Sequence, residues 1–154
     1  MAELLPSDYI SGFVDGEGCF ALKFRKDACH GRPTYFRWDI EFAIHLKEDD
    51  KEILESIQKT FGCGRMSYPK GAARYAVNDV IHLQGIIVPF FELHKLHAKK
   101  RFDFELWKEG VAIFVQNRRK KFNQKDLDRL LEIKTLMEKY KGGNRHNWKW
   151  LKKV

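Results

Sequence analysis

The chain has 154 residues, 44% of them hydrophobic, which favours one domain with a substantial core. Its formal net charge of +8 implies a polyanionic partner, and the sign is uneven: residues 1–94 carry 11 Lys or Arg against 14 acids, whereas residues 95–154 carry 18 against 7. Cys19, Cys29 and Cys63 form no CxxC pair, no apolar run approaches the ~18 residues of a membrane span, and "MAELLPSDY" has neither a basic nor an apolar leader region. Zinc modules, disulfide scaffolds and membrane proteins are therefore not expected, and a reducing compartment is the plain reading; synthesis inside an organelle such as a chloroplast or mitochondrion would also leave no transit peptide.

Ser7, after Pro6, is expected to cap a short helix over about 8–15 with Tyr9, Ile10, Phe13 and Val14 as its apolar residues. Gly18 permits a sharp exit, and "CFALKFRK" then alternates, Phe20, Leu22 and Phe24 against Ala21, Lys23 and Arg25. "DACHGRPT" reads as a hairpin connection. The second strand, "YFRWDIEFAIHL", sets Phe36, Trp38, Ile40, Phe42, Ile44 and Leu46 on one side and Arg37, Asp39, Glu41 and His45 on the other.

The period then changes: "KEDDKEILESIQKTFG" opens with acids, carries Ile53, Leu54, Ile57 and Phe61 on one stripe and stops at Gly62. A second hairpin turns at Pro69 and Gly71, with Arg65, Ser67 and Arg74 on its polar side. Asn78 or Asp79 caps a further helix that Pro89 should bend. Helical spacing resumes through Phe102, Leu106 and Ile113, with a contribution from Trp107. "NRRKK" is a basic loop, and Asn123 precedes an amphipathic helix bearing Leu127, Leu130, Leu131, Ile133, Leu136 and Met137. The expected architecture is α+β: a duplicated αββ plan followed by helices, with one four-stranded antiparallel sheet backed by helices, in a single domain over 1–154 whose basic C-terminal helical region runs from about 117 to 154.

"YISGFVDGEG", Tyr9 to Gly18, holds the chemistry. Gly12 and Gly16 are four apart and share a helix face, where they let a second backbone approach. Asp15 and Glu17 stand at the C-terminal end, where the helix dipole disfavours negative charge. A divalent cation offsets both that dipole and the repulsion between carboxylates, and hard oxygen ligands suit Mg²⁺. No local cluster offers three ligands, but a two-fold dimer brings a second copy of each acid. By residue chemistry alone a metal role and a merely solvated or capping role stay open.

The same ten residues resemble the LAGLIDADG motif of homing endonucleases, and the αββ order around them is similar to that family's domain over most of the chain. The resemblance implies a saddle-shaped sheet in the DNA major groove and, with a single motif, a homodimer on a pseudo-palindromic site of roughly 20 base pairs or more. It implies Glu17 as the metal-binding catalytic acid, the Gly16 carbonyl as an auxiliary ligand, a structural role for Asp15, and a helix contact through Ser11, Gly12, Asp15 and Gly16. The expected cofactor is Mg²⁺, two or three ions per dimer site, with Mn²⁺ substituting and Ca²⁺ supporting binding without efficient cleavage. Both strands would be hydrolysed with four-base 3′ overhangs, serving intron homing. A supporting basic residue is expected at Lys99, with Lys100 close behind. The family's water-organising polar position falls on Leu46, flanked by His45 and Lys47. A noncatalytic relative, acting as an intron RNA maturase or a DNA-binding repressor, is the alternative.

Base contacts are expected from the polar strand faces, at Lys23, Arg25, Arg37, Asp39, Glu41, Arg65, Ser67 and Arg74, with His30, Arg32 and Thr34 reaching outward from the hairpin loop. Arg118, Arg119, Lys120 and Lys121, and the tail 145–153 with Trp148 and Trp150, suit phosphate contacts.

Overall fold

The computed structural model describes residues 3–28 and 30–141; Cys29 and the aromatic, basic tail at 145–153 lie outside the described residues. The chain order is α1 (Ser7–Glu17), β1 (Gly18–Asp27), β2 (Tyr35–Lys47), a 3₁₀ turn (Glu48–Asp50), α2 (Lys51–Phe61), β3 (Arg65–Ser67) and β4 (Ala72–Val77), followed by helices. These helices are α3 (Val80–His82), a π-helical turn (Leu83–Ile87), α4 (Val88–Leu93), α5 (Lys100–Gln116) and α6 (Gln124–Lys141). The four strands make one antiparallel sheet in the order β1-β2-β4-β3. The expected αββ-αββ-helix plan and its single sheet are both present.

Register explains why the alternation along the strands is decisive. Phe20 pairs with Phe42, Leu22 with Ile40 and Phe24 with Trp38, so the apolar sets of β1 and β2 share one face. Ala73, Tyr75 and Val77 of β4 continue that face, and all three are buried. Against it pack Ile10 and Val14 of α1, Leu54 and Ile57 of α2, and Phe104, Trp107 and Val111 of α5, with Leu130, Ile133 and Met137 of α6, in one core. Phe20 sits at its centre, with ring centroids 5.4 Å from Phe42, 5.3 Å from Phe104 and 4.9 Å from Trp107. Burying one such ring contributes about 2–3 kcal/mol before the aromatic geometry is counted.

Element ends follow local chemistry, with some departures from expectation. Gly62 is left-handed at φ 71° and its N–H donates to the Gln58 carbonyl, which stops α2 as expected. The Asp79 carboxylate, and not Asn78, accepts from the Ile81 N–H, and the Asn123 side chain accepts from the Asp126 N–H at the head of α6. Ser7 is not a cap: it lies within the first turn of α1, after Pro6. Pro89 falls in the first turn of α4, where a missing N–H is harmless, and the π turn before it takes up the irregularity. The phase assigned to α5 shifts as well. Phe102 is 41% exposed under the Arg101 guanidinium, while Phe104 and Trp107 fill the core. "RFDFELW" alternates like a strand, and only the helix geometry decides which phenylalanine turns inward.

Candidate DNA-binding face and acidic helix end

The sheet face opposite the core carries all eight strand residues expected to read DNA. Lys23 is opposite Asp39, Arg25 opposite Arg37, and Ser67 opposite Arg74, while Arg65 pairs with Ala76. These side chains are interlocked. Arg25 Nε lies 3.3 Å from Asp39 Oδ2, and Arg37 Nε lies 3.0 Å from Asp27 Oδ2. Glu41 is the hub: its Oε1 accepts from Lys23 Nζ on β1 and from Arg74 Nη2 on β4, each at 2.5 Å. Burial pushes the Glu41 carboxyl up, but the hydrogen bonds and charges of Lys23 and Arg74 outweigh that and hold it below the ordinary carboxylate range. Glu41 is only 7% exposed, so its carboxylate is a counter-ion for two cations, not an open acceptor. His30, Arg32 and Thr34 are exposed in the β1–β2 connection.

At the end of this face stands α1, and its two sides differ. The inner side is stitched to the segment before α5. Ser11 Oγ donates to the carbonyls of His94 and Lys95, at 2.9 and 3.2 Å. The Asp15 carboxylate accepts from the backbone N–H groups of His97 and Ala98, at 2.8 and 3.0 Å. Ser11, expected beside the glycines in a helix contact, is therefore on the inner side and only 6% exposed. Asp15, expected both in that helix contact and in a structural role near the helix end, is likewise tied to its own chain by these bonds.

The outer side is open. Tyr9, Gly12, Gly16 and Glu17 are exposed, and a Cβ built on either glycine meets nothing within 4 Å. Gly18 is the opposite case, for its backbone is extended (φ −77°) and an added Cβ would lie 2.5 Å from Val14 Cγ1. Close approach to the preceding turn, and not a left-handed exit, is what requires glycine there.

Lys100 closes the helix end. Its ammonium donates to the Val14 carbonyl at 3.0 Å and to the Asp15 carbonyl at 3.3 Å, placing a cation on the negative end of the α1 dipole. Burial lowers its pKa, against the opposing pull of Cys19, Asp15, Asp103 and Glu17, all close enough to act on it. Lys99 is exposed just before α5. Leu46 turns towards the core opposite Ala73, so the polar side chain that this end of β2 offers to the open face is His45, opposite Arg74. The basic loop is exposed from Arg118 to Lys121, with Arg119 at φ 68°, while Asn117 is buried and donates to the Ile113 carbonyl and the Asp126 carboxylate.

Among the described residues no three His, Cys, Asp or Glu side chains gather into a metal site, and no helix is long and apolar enough to cross a membrane. One chain can offer an ion the exposed Glu17 carboxylate and the Gly16 carbonyl, whose helical partner is missing at this terminus. Two hard oxygens fit Mg²⁺, which keeps several of its waters, and a second copy would double them.

The chain belongs to the LAGLIDADG endonuclease family, whose sequence profile matches residues 10–111. It is 32% identical over 123 residues to a probable intron-encoded endonuclease 2 of Neurospora crassa, covering 76% of this chain and 26% of that relative. The chain thus spans about a quarter of that protein's length. Among solved structures it is similar to the homing endonuclease I-TnaI, at 28% identity and a TM-score of 0.76, covering 97% of this chain and 95% of that one. It is also similar to I-SmaMI bound to an uncleaved DNA target in the presence of calcium ions, at 25% identity and a TM-score of 0.76, covering 88% of this chain and 45% of that one.

Proposed function

We propose that the chain is a sequence-specific DNA endonuclease that works as a homodimer over its full 154 residues and cuts both strands of a long pseudo-palindromic site, leaving 3′ overhangs, in the service of intron homing. The observation that carries this reading is the outer side of α1: two glycines with open space above them, ending in an exposed carboxylate. Two such helices packed at Gly12 and Gly16 would bring both copies of Glu17 to a common axis. The intron-encoded naming of the Neurospora crassa relative and the DNA target in the I-SmaMI structure support the same reading. They also support an intracellular site of action where intron-bearing genes reside, in an organelle or a prokaryotic cell.

Glu17 and the Gly16 carbonyl would hold divalent ions, Mg²⁺ in the first place, that polarise the scissile phosphate and lower the pKa of an attacking water. The remaining work falls to the chain itself. Lys100, half-buried at the helix end, offers its remaining N–H donor and its charge to a phosphate oxygen arriving there; Lys99 is the exposed second candidate. Lys23, Arg25, Arg37, Asp39, Arg65, Ser67 and Arg74 face the bases, because a sheet ribbon fits the major groove. His30, Arg32 and the Arg118–Lys121 loop serve outer bases or phosphates, whose contacts position the duplex without reading it.

The test is to incubate the protein with a duplex library in Mg²⁺, and separately in Ca²⁺ or EDTA, and to sequence the ends. Mg²⁺-dependent breaks at one long site, reduced to background in Glu17→Gln with binding retained, are expected. Breaks that survive Glu17→Gln overturn the assignment. Specific binding without Mg²⁺-dependent cutting selects a noncatalytic maturase or repressor instead, and a monomeric mass on DNA removes the homodimer.

A further inference from the structure

Glu41 differs from the other acids of this sheet face in being buried and in holding two cations at once. Its surroundings show what it holds. Lys23 is opposite Asp39 in the register, yet its ammonium leans along the strand to Glu41. Arg74 is opposite His45, and its guanidinium also reaches back to Glu41, past the paired alanines Ala43 and Ala76. Those small side chains leave the floor low enough for the long arginine to lie across it. Glu41 is anchored from behind as well, because its backbone carbonyl accepts from the indole N–H of the fully buried Trp107 at 3.1 Å.

Both cations remain partly open, with side-chain exposures of 39% for Lys23 and 29% for Arg74. A lysine ammonium has three N–H donors and a guanidinium five, so each keeps donors for DNA after bonding to Glu41. Building on the DNA-reading role of this face, we propose that Glu41 is a positioning residue that fixes Lys23 and Arg74 across three strands for base recognition, and is not itself a base contact. Long basic side chains lose rotamer entropy on binding; two that are already held lose less and point in one direction. The neutralising acid also removes bare positive charge from the floor, which disfavours attachment to any sequence and leaves discrimination to the oriented donors.

The experiment uses the full chain and a library randomised around the site that the wild type selects, with binding profiles measured in Ca²⁺. Lys23→Met and Arg74→Met first define which base pairs each cation reads. Glu41→Gln is then expected to flatten preference at those same base pairs by about tenfold, to leave preference at the others nearly unchanged and to raise affinity for unrelated duplexes. Glu41→Asp, which keeps the charge, should restore part of the lost preference. A uniform loss of affinity across all positions would mean a merely structural role and overturn the proposal, as would a Glu41→Gln profile identical to the wild type. Should Glu41→Gln fold poorly, the profiles of the two cation variants decide: no base pair read by either residue overturns the proposal. If the wild type selects no duplex site, the endonuclease reading fails first and this one with it.

Discussion

The two sides of α1 use the same few residue types for opposite ends. On the inner side every small or polar group is consumed within the chain: Ser11 by the carbonyls of His94 and Lys95, Asp15 by the N–H groups of His97 and Ala98, and Gly18 by the crowding of Val14. On the outer side Gly12, Gly16 and Glu17 satisfy nothing among the described residues that would require them. Glycine within a helix costs about 1 kcal/mol relative to alanine, so two of them with open space above are unfavourable for the isolated chain. Internal demand explains one side of the helix, and the proposed homodimer would supply what the outer side lacks.

The sharpest way to break this contrast is at its glycines. Gly18→Ala should destabilise the chain by about 1–3 kcal/mol, since the new Cβ would meet Val14 Cγ1 at 2.5 Å and the fixed Val14 carbonyl oxygen at 3.0 Å. Denaturant unfolding measures this as a lower midpoint with an unchanged slope. Asp15→Ala comes next. Its carboxylate holds two backbone N–H groups on a partly solvated surface, so a loss of about 1 kcal/mol is expected, together with slower cutting because the segment leading to Lys100 is released. Equal stability in Asp15→Ala and the wild type would remove the inner side's claim to be structural.

Gly12→Ala should act in the opposite sense. The isolated chain gains up to about 1 kcal/mol from helix propensity, because the added methyl meets nothing. Self-association should weaken at the same time, by about tenfold if the clash between packed helices costs about 1.4 kcal/mol. Analytical ultracentrifugation beside thermal melting separates the two. A variant that is both more stable and equally dimeric would show that this side of the helix does not carry the contact.

A similar division separates what is legible in the sequence from what only folding brings about. The strand faces are legible because period two is simple: one parity of β1 and β2 is apolar almost throughout, and the observed register keeps Phe20, Leu22, Ile40 and Phe42 together. The acidic helix end is legible because its residues are contiguous. Contacts across long separations are not. Ser11 reaches residues more than 80 positions away, and Lys100 reaches back as far to α1, so neither side chain's use is visible in its own neighbourhood. The exposure of Phe102 depends on helix phase, whereas Leu46 turns inward with the apolar parity that the sequence of its strand already assigns it. Alternation alone puts Glu41 on the correct face, but its neighbours come from three strands, and only the register reveals that Lys23 and Arg74 share it.

That triad yields the smallest and most specific effect. The folded-state pKa of Glu41 is below its ordinary value, because Lys23 and Arg74 outweigh the burial that raises it. As pH falls into the carboxylate range the unfolded chain takes up this proton before the folded one, so stability decreases with acidification. The contribution is fully present above the unfolded pKa, near the ordinary 4.5, and is lost as pH falls through the lower folded value. Glu41→Gln cannot take part in that linkage. Stability profiles measured from pH 7 downward should therefore converge, the wild type losing more than the variant below about pH 4.5, while an increase in sodium chloride leaves most of the difference because Glu41 is shielded from solvent. Parallel profiles would mean that the two cations do not hold the carboxylate in solution, and the outer side of α1 would then adjoin a face whose side chains are free to rearrange on DNA.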